Sequence, residues 1–345
     1  MRPLDARERS LTGLARSVRA AIVVPLLFTL ALVTLKQPEL AGFAVFGTFA
    51  HLVLVNYDPG ETARFAQAAM LTLLGLIMVT LGTLASDNIW LSVVGAAAAG
   101  FLSELPWLAR GHTAPIRGAL LLSFLCAVAA PGAVRDVLPR LAGWLMAGLI
   151  AQPALLLIWI PLRQGRADAV SPRRGGTRTA NAARSSWPWN AVRAGLAFGL
   201  AVLLTRLIRV EHAFWVVLGV LPVLNASHGV GRGFFQEQAG AIVGFLISAV
   251  VVSIIGEHQL WYWLILPLVV FLSTYAASAL GLMGGQIGFT VFAVVLFCIL
   301  LPQQRPSGVL RLEDIAIGGA VSLVVGALLR LGQSGSAGHL QSVVN

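Results

Sequence analysis

Apolar residues run along this chain in long blocks that do not alternate with polar ones. Six blocks are read in the first half, over 20–36, 40–56, 65–85, 89–106, 115–131 and 138–161. Six more follow over 191–208, 212–226, 235–256, 259–279, 283–301 and 313–331. Their lengths and unbroken apolar character predict helices; strands of a membrane barrel would alternate in period two. Several fall short of the roughly 20 residues a straight span requires. The second block of each half is the weakest and is expected to be a half-span or broken helix lined by other helices.

The blocks repeat. Glu39–Gly47 reads ELAGFAVFG and Glu211–Gly219 reads EHAFWVVLG, with acid, aromatic and glycine at the same spacing. Each copy follows a V-R-A step, at Val18–Ala20 and Val192–Ala194, and precedes a glutamine (Gln67, Gln236) and a glycine-bearing run (Gly75, Gly244). The expected fold is an all-α polytopic membrane protein, with two tandem parallel repeats of about six transmembrane helices each. Residues 1–162 form the first repeat, 163–190 an arginine-rich linker, 191–332 the second repeat and 333–345 a tail.

Composition narrows the class. Charged residues make up 11% and hydrophobic residues 57%, with mean hydropathy +0.84. A soluble domain carries about a quarter charged residues, so the lipid bilayer is the expected partner. The net charge of +10 is almost all arginine. Because these arginines sit at the ends of apolar blocks, they read as orientation signals and not as a nucleic-acid surface. Seventeen basic residues fall on the side of the N-terminus and linker, and seven on the other. That bias places both termini and the linker in the cytoplasm. Cys126 and Cys298 lie in apolar runs, and no disulfide framework, metal cluster, cofactor motif or enzyme nucleophile is apparent.

Charged and polar residues inside or beside the blocks are the candidate chemistry. Arg19 and Arg193 open equivalent helices, as snorkelling anchors or as cations at a pathway mouth. Arg64 and Arg232 precede the third helix of each half, where free N–H groups favour an anion; Gln67, Gln236 and Glu237 follow them. Phe43, Phe214 and Trp215 suit stacking on an aromatic ring. His51, Glu237, Glu313 and Asp314 are candidates for proton coupling, each weighed against a plain structural role: a hydrogen-bonded histidine, a paired acid, a dipole match in a first turn. Asn56, Tyr57 and Asp58 read first as a turn and second as vestibule lining. Gly284, Gly285 and Gln286 are expected to form the turn between the fourth and fifth spans of the second half.

Four stretches carry a family resemblance: AVRAGLAFGLAVLL (Ala191–Leu204), HAFWVVLGVLPVL (His212–Leu224), GRGFFQEQAGAIVG (Gly231–Gly244) and RLEDIAIGG (Arg311–Gly319). They resemble the fusaric acid resistance, or aromatic acid exporter, family, closely in the second half and more loosely in the first. The resemblance implies an exporter of aromatic carboxylic acids or similar amphipathic anions. It also implies a periplasmic adaptor protein as partner in bacteria, and assembly into homo-oligomers in relatives. Lacking an ATP-binding motif, such a transporter is expected to draw on the proton gradient. The alternatives are a passive organic-anion channel and a membrane subunit of an efflux complex that is inactive without its partner.

Overall fold

The structure is a computed structural model; it describes residues 3–55, 57, 60–105, 113–157, 177–208 and 230–300. All regular elements in that part are helical. They are α1 (Pro3–Thr29, continuing as a π turn over Leu30–Thr34), α2 (Pro38–Phe49, with a π turn over Ala50–Leu54), α3 (Glu61–Ser86), α4 (Ile89–Ser103) and α5 (Arg117–Ala129). Next come α6 (Val137–Leu157), α7 (Thr177–Ile208), α8 (Val230–Ile255) and α9 (Gln259–Leu300). The predicted blocks between Ala20 and Leu300 therefore emerge as helices wherever the chain is described. The blocks at 212–226 and 313–331, with Phe214, Trp215, Glu313 and Asp314, lie outside the described residues.

Among the described residues four helical stretches are long and apolar enough to cross a bilayer: Gly13–Thr34, Glu61–Ser86, Trp187–Leu207 and Gln259–Leu300. Shorter apolar helices, such as Pro38–Leu54 and Arg117–Ala129, stand among them. α3 illustrates the division of faces. Leu73, Ile77, Leu81 and Leu84 form an exposed stripe, while Leu71, Gly75, Val79 and Gly82 are buried. A helix apolar all round, with large side chains outward, suits lipid and not water.

The last part of the arginine-rich linker read over 163–190 is helical, since α7 begins at Thr177. Its first turns are rich in alanine and arginine, which favour helix. The turn expected at Gly284–Gln286 falls instead at Gly281, whose φ of 67° and ψ of −141° break α9 into two arms. Only glycine adopts that region without strain. Gly284 and Gly288 are helical, and they let the arms close: Gly288 meets the Ser273 backbone, and Ser273 Oγ donates to the Gly288 carbonyl at 2.7 Å.

The helices interlock across the sequence. α1 lies along the first arm of α9, with Gly13 against Ser278 at one end and Phe28 stacked on Trp263 at 5.2 Å at the other. α7 lies along α4, where Gly100 meets Phe198 and the Ala194 carbonyl. α3 packs on α5 through Gly82, and α8 packs on the second arm of α9 through Gly240 and Gly244. The largest core cluster joins α1, α2, α6 and α9.

Replacing Gly281 by alanine is expected to lower stability by about 1–3 kcal/mol, because the left-handed backbone is lost to any residue with a Cβ. Gly285→Ala, where an added methyl would stand in ordinary contact with Ala277 at 3.6 Å, should be close to neutral. Thermal unfolding of both variants in detergent checks the pair.

Candidate functional site

Buried arginines gather at both ends of the bundle, and the two ends treat them differently. At the end where α2 and α6 begin, Arg140 is 1% exposed. Its Nε donates to Glu39 Oε2 at 2.9 Å. Its Nη1 donates to the Ala130 carbonyl at 2.9 Å, with longer contacts to the Ala127 carbonyl and Thr83 Oγ1. Its guanidinium also lies over the Phe43 ring, 5.2 Å from the centroid. Arg206, from the end of α7, joins the same layer: its Nη2 donates to the Ser86 carbonyl at 2.7 Å and to the Val128 carbonyl at 3.0 Å. Two cations thus cap the carbonyl-rich C-termini of α3 and α5, where the helix dipole favours positive charge. Arg140, one of the seven basic residues that charge bias puts on the side away from the linker, is a buried clasp joining α2, α3, α5 and α6.

The opposite end holds Arg16 and Arg19 on α1, Arg64 in the first turns of α3, and Tyr57 on the connection between α2 and α3. Arg19 is 4% exposed and Arg64 3%. The charged groups felt most strongly by Arg19 are Arg16 and Arg64, both of its own sign, and beside them the Tyr57 phenol. Arg16 Nη1 donates to the Val53 carbonyl at 3.3 Å. Arg19 Nε and Nη1 are buried without a hydrogen-bond partner, and so is the Tyr57 hydroxyl. Burial raises the Tyr57 phenol above its ordinary range, with the Arg19 charge working against the rise, so the hydroxyl keeps its proton and remains a donor. Gln67, fully buried one turn beyond Arg64, completes this wall of the site. Desolvated cations of one sign with unsatisfied donors are costly in isolation and become favourable when an anion accepts from them.

Between the two ends stands His51, fully buried in the π turn of α2. Its Nδ1 lies 2.8 Å from the Gly47 carbonyl and must donate there. Its Nε2 lies 3.0 Å from Thr72 Oγ1. Trp144, 1% exposed, packs beside the imidazole at 5.6 Å and donates from Nε1 to the Thr72 carbonyl at 3.2 Å. The Trp144 ring fills the notch left by Gly75, with Gly47 against its edge. Thr72 Oγ1 also lies 2.9 Å from the Ala68 carbonyl. Its single proton therefore goes either to that carbonyl or to Nε2.

The sequence-predicted residues separate accordingly. Arg19, Arg64 and Gln67 lie at one end, with Arg16 and Tyr57, which sequence reasoning had not joined to them. Phe43 lies at the other end under Arg140. Arg193 is on α7, beside α4, and is not among the charges that bear on Arg19. Gln236 is partly buried on α8, where the side chains of Arg232 and Glu237 are outside the described part. Arg16 carried a sequence signal, standing one helical turn before Arg19 on the same face; Tyr57 read only as part of a turn.

The fold and the buried charges define a multi-pass helical membrane protein. Residues 200–325, from the end of α7 through α8 and α9 and beyond, match the family described as fusaric acid resistance protein-like. No curated protein and no solved structure matches the chain. The matched segment does not include Arg16, Arg19, Tyr57 or Arg64.

Substituting Arg140 by glutamine is expected to destabilise the protein by about 2–4 kcal/mol, because helix-end carbonyls and Glu39 lose their common partner. Glu39→Gln should lose under about 1 kcal/mol, since that carboxylate is half-exposed at 45%. Comparative unfolding in mild detergent reads the difference, and equal losses would remove Arg140 from the role of clasp.

Proposed function

We propose that the protein exports aromatic carboxylic acids or similar amphipathic organic anions across the bacterial inner membrane, with both termini in the cytoplasm. The observation that carries this reading is the end cluster of Arg16, Arg19 and Arg64 with Tyr57, in which Arg19 Nε and Nη1 and the Tyr57 hydroxyl are buried donors without an acceptor, a setting that favours a carboxylate. The family match over residues 200–325 supports the transport class. Arg193, Arg232 and Gln236 are assigned the equivalent wall in the second half, with Phe214 and Trp215 as aromatic contacts.

The helix contacts support two tandem parallel repeats of six helices. α1 packs on the first arm of α9, and α7 packs on α4: in each pair the first helix of one half lies on the fourth of the other. The third and fifth helices also pair in both halves, through Gly82 in one and Gly240 and Gly244 in the other. A two-fold axis along the membrane normal produces such reciprocal contacts.

In this reading the proton gradient drives export, and His51 supports it. A proton arriving at Nε2 turns the Thr72 hydroxyl toward the Ala68 carbonyl, coupling α2 to α3 through one hydrogen bond. Glu237, Glu313 and Asp314 are further candidates for the carrier, and a periplasmic adaptor is the expected partner. A passive anion channel is the second reading. It is favoured by the way both His51 ring nitrogens are already engaged within the protein.

Cells carrying the gene are expected to accumulate less of a weak aromatic acid than cells without it, and an uncoupler should abolish the difference. If the difference survives the uncoupler, the channel reading replaces the coupled one; if there is no difference for any acid tried, the export reading fails. Arg19→Gln should reduce export about tenfold, the scale of one charge-assisted hydrogen bond, while leaving thermal stability unchanged or raised through relief of like-charge repulsion. A variant that loses stability and transport together would mark Arg19 as structural.

A further inference from the structure

A cavity opens on the flank of the bundle, away from the arginine cluster. It occupies about 690 Å³ between α3, α4 and α5, with Met78, Leu81, Leu91, Val94 and Phe124 in its wall. Leu81, Leu91 and Val94 are more than half exposed, so the cavity opens sideways through the lipid-facing surface. Along α4 it runs from Leu91 to Ser103, about 18 Å at the helical rise. Its polar groups are confined to one end, where Ser103 and Arg117 close it.

Arg117 is the informative residue. Its Nη1 donates to the Ser103 carbonyl at 3.4 Å and stands 3.5 Å from Glu104 Oε2. Among the described residues its Nε and Nη2 have no hydrogen-bond partner, and the side chain is 35% exposed. A guanidinium with one committed nitrogen and a spare edge thus sits at the end of a long apolar trough. Pockets of this volume, apolar with one localised polar group, suit a ligand of the same asymmetry. A single aromatic ring with a carboxylate would fill only a fraction of an 18 Å trough. An extended alkyl chain ending in a carboxylate fills it, with the head on the free edge of Arg117 and the chain against Leu91, Val94 and Phe124.

We propose that this flank groove binds a free long-chain fatty acid taken from the bilayer. The site is separate from the arginine cluster and does not depend on the export reading, since occupancy is measured without transport. Burial of each methylene contributes to holding the chain, and the guanidinium selects the carboxylate head.

The test is photolabelling of the purified full chain in nanodiscs of zwitterionic lipid. The probes are a fatty acid carrying a diazirine in its chain and the fatty alcohol of the same length. The acid is expected to label peptides of α3, α4 and α5 about tenfold more than the alcohol does, the preference set by one charge-assisted hydrogen bond. Unlabelled fatty acid should compete. Ala98→Trp, which fills the trough from an exposed position of α4, should abolish that labelling with elution and helical circular dichroism unchanged. Arg117→Gln should bring the acid down to the level of the alcohol. Equal labelling by acid and alcohol in the unmodified protein, or labelling spread evenly over the lipid-facing helices, overturns the proposal. So does an acid preference that Arg117→Gln leaves intact.

Discussion

A guanidinium taken out of water must find oxygen atoms; the bundle supplies them to Arg140 and Arg206 at one end and leaves Arg19 Nε and Nη1 without an acceptor at the other. Arg140 and Arg206 are placed among the carbonyls that close α3 and α5, with Glu39 and two hydroxyls beside them. Those carbonyls have no partner within their own helices, so each side resolves the other's deficit. Neither set of groups could be buried alone. The clasp ties α2 to α6 and both to α3 and α5, and it holds this end of the bundle shut.

At the other end the same kind of group is buried without that compensation. Arg19 is surrounded by Arg16, Arg64 and Tyr57, a neighbourhood that supplies repulsion and further donors. An arrangement this unfavourable persists only when the rest of the fold over-determines it, and such places are where binding sites are found. The two ends therefore differ: Arg140 and Arg206 are hydrogen-bonded to carbonyls at one, Arg19 Nε and Nη1 lack an acceptor at the other, and α2 and α3 join them. His51, Thr72 and Trp144 sit on the line between them.

Close helix contact is what permits this layout. Gly75 admits the Trp144 ring, Gly143 admits the Leu40 carbonyl, and Gly82 admits the α5 backbone. In lipid, helices gain little from hydrophobic exclusion, so backbone proximity and interhelical hydrogen bonds hold them together. The same logic explains the exchange of helices, α1 onto α9 and α7 onto α4. The α7–α4 contact rests on small residues, with Gly100, Gly195 and Gly199 at close approach, whereas the α1–α9 contact combines Gly13 against Ser278 with the Phe28–Trp263 stack.

Much of the helical framework was legible in the sequence. Apolar block length predicted the described helices because a chain in lipid must satisfy its backbone within each segment. Gly75 and Gly244 were legible as repeated features of the two halves of the sequence, and the structure puts both at close helix contacts. Arg64 and Gln67 were legible as a pair because α3 places them on one face. Arg140 was not: an arginine near a block end looks the same whether it faces headgroups or turns inward to helix carbonyls. Gly281 was not, since the doublet at Gly284 and Gly285 offers a stronger local turn signal, and only the packing of the two arms assigned the bend. The sequence by itself determined which stretches are helical and which side chains are too polar to lie in lipid. Tertiary structure alone decided which of those polar groups are compensated, because that depends on carbonyl ends brought together from α3 and α5. It likewise decided that Arg16, Arg19, Tyr57 and Arg64 meet.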